Sequence, residues 1–257
     1  MFRIITANVN GIRAAERKGF WEWIQSMKPD CVCLQETKAQ LSILGHECGV
    51  LEGYHRVFSD ALKKGYSGVA MYSLEKPSNV QNSLGLTWAD EEGRWVSATI
   101  GPLNIASLYL PSGTSGEVRQ SKKMDLLQHF KRYQLREYIA DKKPWVIAGD
   151  WNIAHRPIDL THPKANAKSS GFLPEERAWL DDVMALGWLD AFRLVNQQPE
   201  EYTWWTYRGN ARAKNVGWRI DYQMISPQLG GAVHSAWTYK DHIFSDHAPV
   251  VVDYEVA

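Results

Sequence analysis

Polar residues recur at the ends of short apolar runs along this 257-residue chain: Asn8 and Asn10, Glu36, Tyr109, Asp150 and Asn152, Asp221, then Asp246 and His247. Singly, each has an ordinary reading, the asparagines as turn formers, Asp150 as a strand-end cap, Asp246-His247 as a surface loop. Their joint occurrence is harder to explain that way. A strand holds a side chain rigidly at a sheet edge, and several edges facing one way line a cleft with oxygen ligands and hydrogen-bond donors. Glu36, Asp150, Asp221 and Asp246 offer the hard carboxylate oxygens that Mg²⁺ prefers. Histidines and cysteines nearby are too few for zinc. There is no GxxxxGKS/T phosphate loop, which disfavours nucleotide-triphosphate hydrolysis, and no serine in a GxSxG elbow. The inventory points at a phosphate ester.

The elements that must position these groups are visible as apolar, β-branched runs: Arg3–Val9, Cys31–Gln35, Gly68–Ser73, Trp95–Ile100, Asn104–Leu110, Trp145–Ala148, Arg219–Ile225 and Pro249–Val256. Helices separate some of them. Phe20, Trp23, Ile24 and Met27 keep i, i+3, i+4, i+7 spacing. A second helix begins near Pro174, with Glu175 and Glu176 at its positive dipole end, a buried stripe of Trp179, Leu180 and Val183, and a stop at Gly187. A third, through Asp125–Tyr138, buries Leu126, Leu127, Phe130 and Tyr133 and ends before Pro144. The pattern is α/β, and runs joined without a helix, as around Gly101-Pro102, make the sheets mixed. No repeat, low-complexity tract or linker divides the chain, so one domain over residues 1–257 is expected.

Hydrophobic content of 44% excludes disorder. No apolar run approaches the ~18 residues of a membrane span, and the N-terminal MFRIITANVNG is no leader, so the expected location is cytoplasmic, at the nucleoid if the source is prokaryotic. Cys31-Val32-Cys33 reads as two buried strand residues on one face. With 29 basic and 29 acidic residues the net charge is zero, which gives no whole-chain argument for nucleic-acid binding. Locally, Thr203 to Arg219 holds Arg208, Arg212, Lys214 and Arg219 and no acid, interleaved with Trp204, Trp205, Tyr207 and Trp218. That mixture suits phosphates and unstacked bases; the alternative is a solvated charged face over core tryptophans.

The motifs ANVNGIRA, LQETK, YSGVA, LYLPSG, GDWNIAH, NVGWRIDY and SDHAPV, in this order across the whole chain, resemble the exonuclease III family of abasic-site endonucleases within the endonuclease/exonuclease/phosphatase superfamily. LQET, GD-x-N and SDH alone carry only the superfamily; WWTYRGNARAKNVGWRIDY is the family-specific part, supported by KANAKSSGFLPEER. The resemblance implies a four-layer sandwich, two mixed β-sheets packed face to face with helices outside, and a site at one edge. It implies Mg²⁺, with Mn²⁺ as substitute, on Glu36, with Asn10 and Asp246 near the metal. Asp150 would orient or deprotonate the attacking water, Asn152 would hold water or phosphate, and His247, oriented by Asp221, would donate to a phosphate oxygen together with Tyr109. Either Asp150 or His247 could be the base; an imidazole paired with Asp221 is held toward its protonated form, so Asp150 is preferred.

By the same resemblance Trp204, Trp218 and Ile220 form a pocket for an extruded abasic sugar, and Asn8, Arg13, Lys38, Tyr66, Asn166 and Arg208 contact phosphate or DNA backbone without reading sequence. The implied reaction is cleavage of duplex DNA 5′ to abasic sites, leaving a 3′-hydroxyl and a 5′-deoxyribose phosphate, with some 3′→5′ exonuclease or 3′-end trimming by a monomer; blocked 3′ ends are further substrates. Three departures stand out. Trp204 replaces the phenylalanine of eukaryotic relatives, which implies a tighter pocket. Ser115 replaces their arginine wedge, which implies a weaker grip on product. Asn10 stands where some relatives have Asp, which lowers charge and affinity at the metal. A 3′→5′ exonuclease with little abasic-site activity is the nearest alternative, with the small Ser170 arguing for pocket access. A small-molecule phosphatase is weakened by the basic aromatic stretch, and a silent scaffold by the retention of every key carboxylate.

Overall fold

The apolar runs that show no inside-outside alternation are strands covered on both faces, as such runs should be. The computed structural model describes residues 1–44 and 48–256. Its strands are β1 (Phe2–Asn8), β2 (Cys31–Gln35), β3 (His55–Ser59), β4 (Val69–Ser73), β5 (Ser78–Gln81), β6 (Trp95–Ile100), β7 (Leu103–Tyr109), β8 (Trp145–Asp150), β9 (Leu189–Asp190), β10 (Asp221–Ile225), β11 (Val233–Thr238) and β12 (Val250–Tyr254). The helices are α1 (Ile12–Glu16), α2 (Phe20–Met27), α3 (Leu41–Leu44), α4 (Thr87–Glu91), α5 (Glu117–Phe130), α6 (Arg136–Ala140), α7 (Pro174–Ala185) and α8 (Ala191–Val195). One six-stranded sheet runs β11-β12-β1-β2-β4-β3, the other β5-β6-β7-β8-β10-β9. Each is mixed: β1 pairs parallel with β2 and β7 parallel with β8, while their other neighbours are antiparallel.

Alternation along each strand sends side chains into two different cores. Ile4, Cys31, Cys33, Met71 and Val252 of the first sheet meet Val96, Ile105, Val146 and Ala148 of the second in a central layer. Their neighbours Ile5, Val32, Leu34 and Tyr72 face outward onto Phe20, Trp23 and Ile24 of α2. On the far side Ala106, Leu108, Ile147 and Met224 pack under Leu126 and Phe130 of α5 and Trp179 and Val183 of α7. The result is the expected four-layer sandwich. Two buried amides stitch the sheets together: Gln35 Nε2 donates to Ser107 Oγ (3.0 Å) and Gln223 Nε2 to the Ile4 carbonyl (2.9 Å).

The helix expected over Asp125–Tyr138 starts earlier, at Glu117, and is interrupted at Lys131–Leu135 by a π-helical turn. That turn inserts an extra residue into the register. Tyr133, expected in the buried stripe, is therefore 49% exposed, and Leu135 takes the buried place. The run expected from Arg219 becomes strand only at Asp221, because Thr203 to Arg219 crosses the end of the sandwich as irregular chain. Strands β3, β5, β9 and β11 had no signal: β3 and β5 are edge strands, with the β5 side chains exposed. No helix of the described residues is long and apolar enough to cross a membrane.

The segment that re-enters the sheet is anchored by a buried ion cluster. Arg219 Nε donates to Asp159 (2.8 Å) and its Nη2 to Asp190 (2.7 Å), while Arg193 also reaches Asp159 (2.8 Å). Burial opposes the Asp159 charge, but Arg219 and then Arg193 outweigh it and hold the carboxyl down at about 2. A depressed carboxyl contributes stability that is full above its unfolded value near 4 and is lost as pH falls through about 2. We expect this residue to contribute on the order of 2 kcal/mol of acid-sensitive stability. Urea unfolding at about pH 5 and about pH 2 tests it: Asp159→Asn starts less stable but loses less between the two. Equal losses would show that the cluster does not set acid stability.

Candidate active site

Strand register brings the chemistry to one end of both sheets. Parallel pairing sets Asn8 beside Gln35, one residue before Glu36, and Tyr109 beside Asp150; antiparallel pairing sets Asp221 opposite Asp150. Just beyond the strand ends the chain turns through left-handed residues without glycine: Asn10 (φ 45°), Glu36 (φ 50°), Lys38 (φ 51°) and Asn152 (φ 52°). Each such residue costs roughly 1–2 kcal/mol, and such strain gathers where geometry is functional.

Asn8 is the keystone. Its Nδ2 donates both to Glu36 Oε1 and to Asp150 Oδ2, each at 2.9 Å, and its Oδ1 accepts the Asn10 N–H at 3.0 Å. Asn8 is buried and its amide is fully engaged below the carboxylates, so the phosphate contact expected of it is not on offer in this arrangement. The other oxygen of Asp150 accepts the Asn152 N–H (2.9 Å), and Asn152 Nδ2 donates to the Leu110 carbonyl (2.8 Å). His247 stands across from Asp150, with Nε2 3.8 Å from Asp150 Oδ2 and Nδ1 2.9 Å from Asp221 Oδ2.

The electrostatics follow from burial and like charge. Burial raises the Asp150 pKa; the nearby imidazole pulls it back, Asp221 and Glu36 push it up again, and the net is about 8. Burial alone would lower the His247 pKa, but Asp221 and Asp150 raise it to about 10, so the ring is held as imidazolium at neutral pH. Burial would raise Glu36 too, yet the Lys38 ammonium and the Asn8 amide bring it below the usual carboxylate range. Burial also lifts the Tyr109 phenol well above its ordinary value, reinforced by Glu36, while Arg94 lies 4.7 Å over its ring. That hydroxyl is a donor, not a base.

The residues expected at the metal, Asn10, Glu36 and Asp246, are joined by hydrogen bonds and by Lys38. Lys38 Nζ sits 2.8 Å from Glu36 Oε2 and also donates to Asn10 Oδ1, so an ammonium bridges two of the three expected ligands. Both oxygens of Asp246 are occupied, Oδ1 by Asn10 and Ser245 and Oδ2 by Trp204 Nε1. Among the described residues, the acid and imidazole atoms that converge, all within 4.8 Å, belong to Glu36, Asp150 and His247. With His247 protonated, Glu36 is the ionised carboxylate of this group at neutral pH and the hard donor it offers a cation. A divalent cation there fits the chemistry, since both carboxylates already attract N–H donors and Lys38 shows that positive charge is accommodated at Glu36.

A cleft of about 520 Å³ opens over this floor, bordered by Glu36, Tyr109, Asp150, Asn152 and His247. Trp204, Trp218 and Ile220 form one wall, with Asn166 and Ser170 at its edge. Trp204 and Trp218 exchange backbone hydrogen bonds of 2.8 and 2.9 Å, backed by Phe172 and Leu160. Ser112 and Thr114, and not Ser115, border the cleft. Arg13 and Arg208 are exposed. The Asn166 amide holds its own loop through the Thr161 and His162 carbonyls (3.1 Å each). Tyr66 lies outside the cleft lining, its hydroxyl among Glu92, Arg94 and Arg119. Two supports escaped sequence reasoning: Thr203 Oγ1, which accepts the Ile220 and Asp221 N–H groups (3.0 and 3.2 Å), and the buried pair Lys123–Glu176. Lys123 could have been noticed as a lysine one turn before Leu126 and Leu127 on a buried helical stripe.

Residues 5–247 match the endonuclease/exonuclease/phosphatase family. The chain is 37% identical over 250 residues to an exodeoxyribonuclease of Bacillus subtilis, covering 96% of this chain and 97% of that one. It is also 37% identical to the DNA repair nuclease APEX1 of Danio rerio, over 97% of this chain and 81% of that protein. Among solved structures, an AP endonuclease from Archaeoglobus fulgidus superposes with a TM-score of 0.91 at 30% identity over the full length of both chains.

Proposed function

Because the chain belongs to the endonuclease/exonuclease/phosphatase family, we propose that its cleft hydrolyses the phosphodiester 5′ to an abasic site in duplex DNA, with 3′→5′ exonuclease or 3′-end trimming as a lesser activity. The observation that carries this reading is the opposition of Asp150 and protonated His247 on the floor of a cleft whose wall is Trp204, Trp218 and Ile220. A phosphodiester resists attack because its anionic oxygens repel the nucleophile, so catalysis rests on neutralised charge and in-line positioning. Asp150, fixed by Asn8 and the Asn152 N–H, orients a water and in its ionised form takes its proton. The imidazolium of His247 and the phenol of Tyr109 donate to the phosphate oxygens on which charge gathers. Mg²⁺ held by Glu36 would add Lewis-acid neutralisation of the phosphate and the departing 3′ oxygen. Trp204, Trp218 and Ile220 offer apolar side chains to a sugar without a base, and extrusion costs least where pairing is already lost.

The test uses three substrates, each with Mg²⁺ or with chelator: a labelled duplex carrying one tetrahydrofuran abasic analogue, the intact duplex, and an inositol phosphate. A single metal-dependent incision on the 5′ side of the analogue is expected. Equal degradation of the intact duplex with no discrete incision would replace this reading with the exonuclease one, and turnover of the inositol phosphate alone would remove both.

A further inference from the structure

A fully buried ion pair lies outside the cleft and needs a reason. Lys123 of α5 and Glu176 of α7 are both 0% exposed, with Nζ 2.6 Å from Oε1. Desolvating two charges costs about as much as their attraction returns, so such a pair is poor evidence of a stabilising role. What it does is hold two loops. Lys123 Nζ donates to the Asn152 carbonyl at 2.8 Å, and the Asn152 N–H in turn fixes Asp150 Oδ1. Glu176 Oε2 accepts the Gly171 and Leu173 N–H groups at 2.6 and 3.1 Å. Gly171 touches the same turn from the other side: a Cβ there would lie 3.2 Å from the Asn152 carbonyl oxygen and 3.2 Å from the Trp218 ring.

The left-handed backbone at Asn152 is strained, and its carbonyl faces protein, not water. A charged donor anchored at its other end holds that oxygen more firmly than a neutral one would. Resting on the phosphodiesterase reading above, we propose that Lys123 is a positioning residue for the reaction: anchored by Glu176, it locks the Asp150–Asn152 turn so that the carboxylate meets the attacking water in line.

The variants are Lys123→Met, Glu176→Gln and the double Lys123→Met/Glu176→Gln. Each single variant leaves a buried charge or acceptor unmatched and should lower Tm. The double is electrically neutral, fills about the same volume and keeps an acceptor for the Gly171 and Leu173 amides, so its Tm should rise above that of either single variant, short of the parent's by the cost of the unpaired Asn152 carbonyl. Its kcat on the tetrahydrofuran duplex should nevertheless stay down by roughly 10- to 100-fold with KM little changed, as expected for a displaced reacting group. Recovery of kcat together with Tm, or a loss confined to KM, would overturn the proposal; if the double does not fold, Glu176→Gln is read by the same split of kcat against KM. Absence of any metal-dependent incision by the parent protein would instead remove the functional reading on which this rests.

Discussion

Asp150→Asn is expected to lower kcat by on the order of 10⁴-fold while leaving duplex binding within a few-fold, the pattern of an interaction used in the reaction and not in holding substrate. The substitution keeps size and shape. It changes two things. It removes the oxygen pair placed to take a proton opposite His247, and it gives one amide oxygen to two donors that now each have their own. Asn8 Nδ2 and the Asn152 N–H occupy the two oxygens of Asp150, so an amide at this position must turn its NH₂ toward one of them. The conflict loosens the floor by a hydrogen bond but touches nothing on the Trp204–Trp218 wall. Single-turnover incision of the tetrahydrofuran duplex measures the first effect, and fluorescence anisotropy on the same duplex the second. A variant that cuts within tenfold of the parent would shift the base to another group, and one that no longer binds would make Asp150 structural.

The two-sided strands were legible because burial on both faces removes the ambiguity of alternation: Ile4-Ile5 and Cys31-Val32-Cys33-Leu34 can be nothing but interior. Edge strands were not, since His55–Ser59 and Ser78–Gln81 are partly or wholly exposed and polar enough to pass for loops. Tyr133 was misplaced for a local reason, one residue of π-helical insertion that no periodicity reveals in advance. In the site, residue types at strand ends pointed to the gathering of Glu36, Asp150, Asp221 and His247, because many polar residues each closing an apolar run are hard to explain together as turns and caps. Which oxygen is still free to bind something is a different question. Asp246, expected as a ligand, accepts from Asn10, Ser245 and Trp204, and Asn8, expected as a phosphate contact, bridges Glu36, Asp150 and Asn10. Apart from Ser245 and the Asn8–Asn10 turn, those partners come from elements far apart in the chain, so only the folded register assigns them.

The same distinction between presence and engagement makes Asp221 the second informative position. One of its oxygens binds His247 at 2.9 Å, and the other, Oδ1, is buried with no hydrogen-bond partner among the described residues. Asp221→Asn can therefore keep its oxygen toward the imidazole and place its amide nitrogen where nothing is displaced, which makes the fold tolerant of the change. The charge is what is lost. Burial favours neutral imidazole, and Asp221 is the first of the three carboxylates that overcome it and raise His247 to about 10. Without that charge the His247 pKa must fall, and with it the pH at which the ring stops donating to phosphate. The parent should keep its activity on the alkaline side until the pH approaches about 10, whereas the variant's descending limb should move toward neutrality. Near pH 7.5 the expected loss in kcat is roughly 10²- to 10³-fold, the usual cost of removing one donor to developing charge. The acid limb, set by Asp150, should move less, because the largest cause of the raised Asp150 pKa is burial, which the substitution leaves in place. Single-turnover rates across the pH range, with the His247 ring followed by NMR, separate the cases. An alkaline limb at the same pH in parent and variant would mean that the proton on His247 is not used in the reaction, and an acid limb that moves instead would exchange the roles of His247 and Asp150.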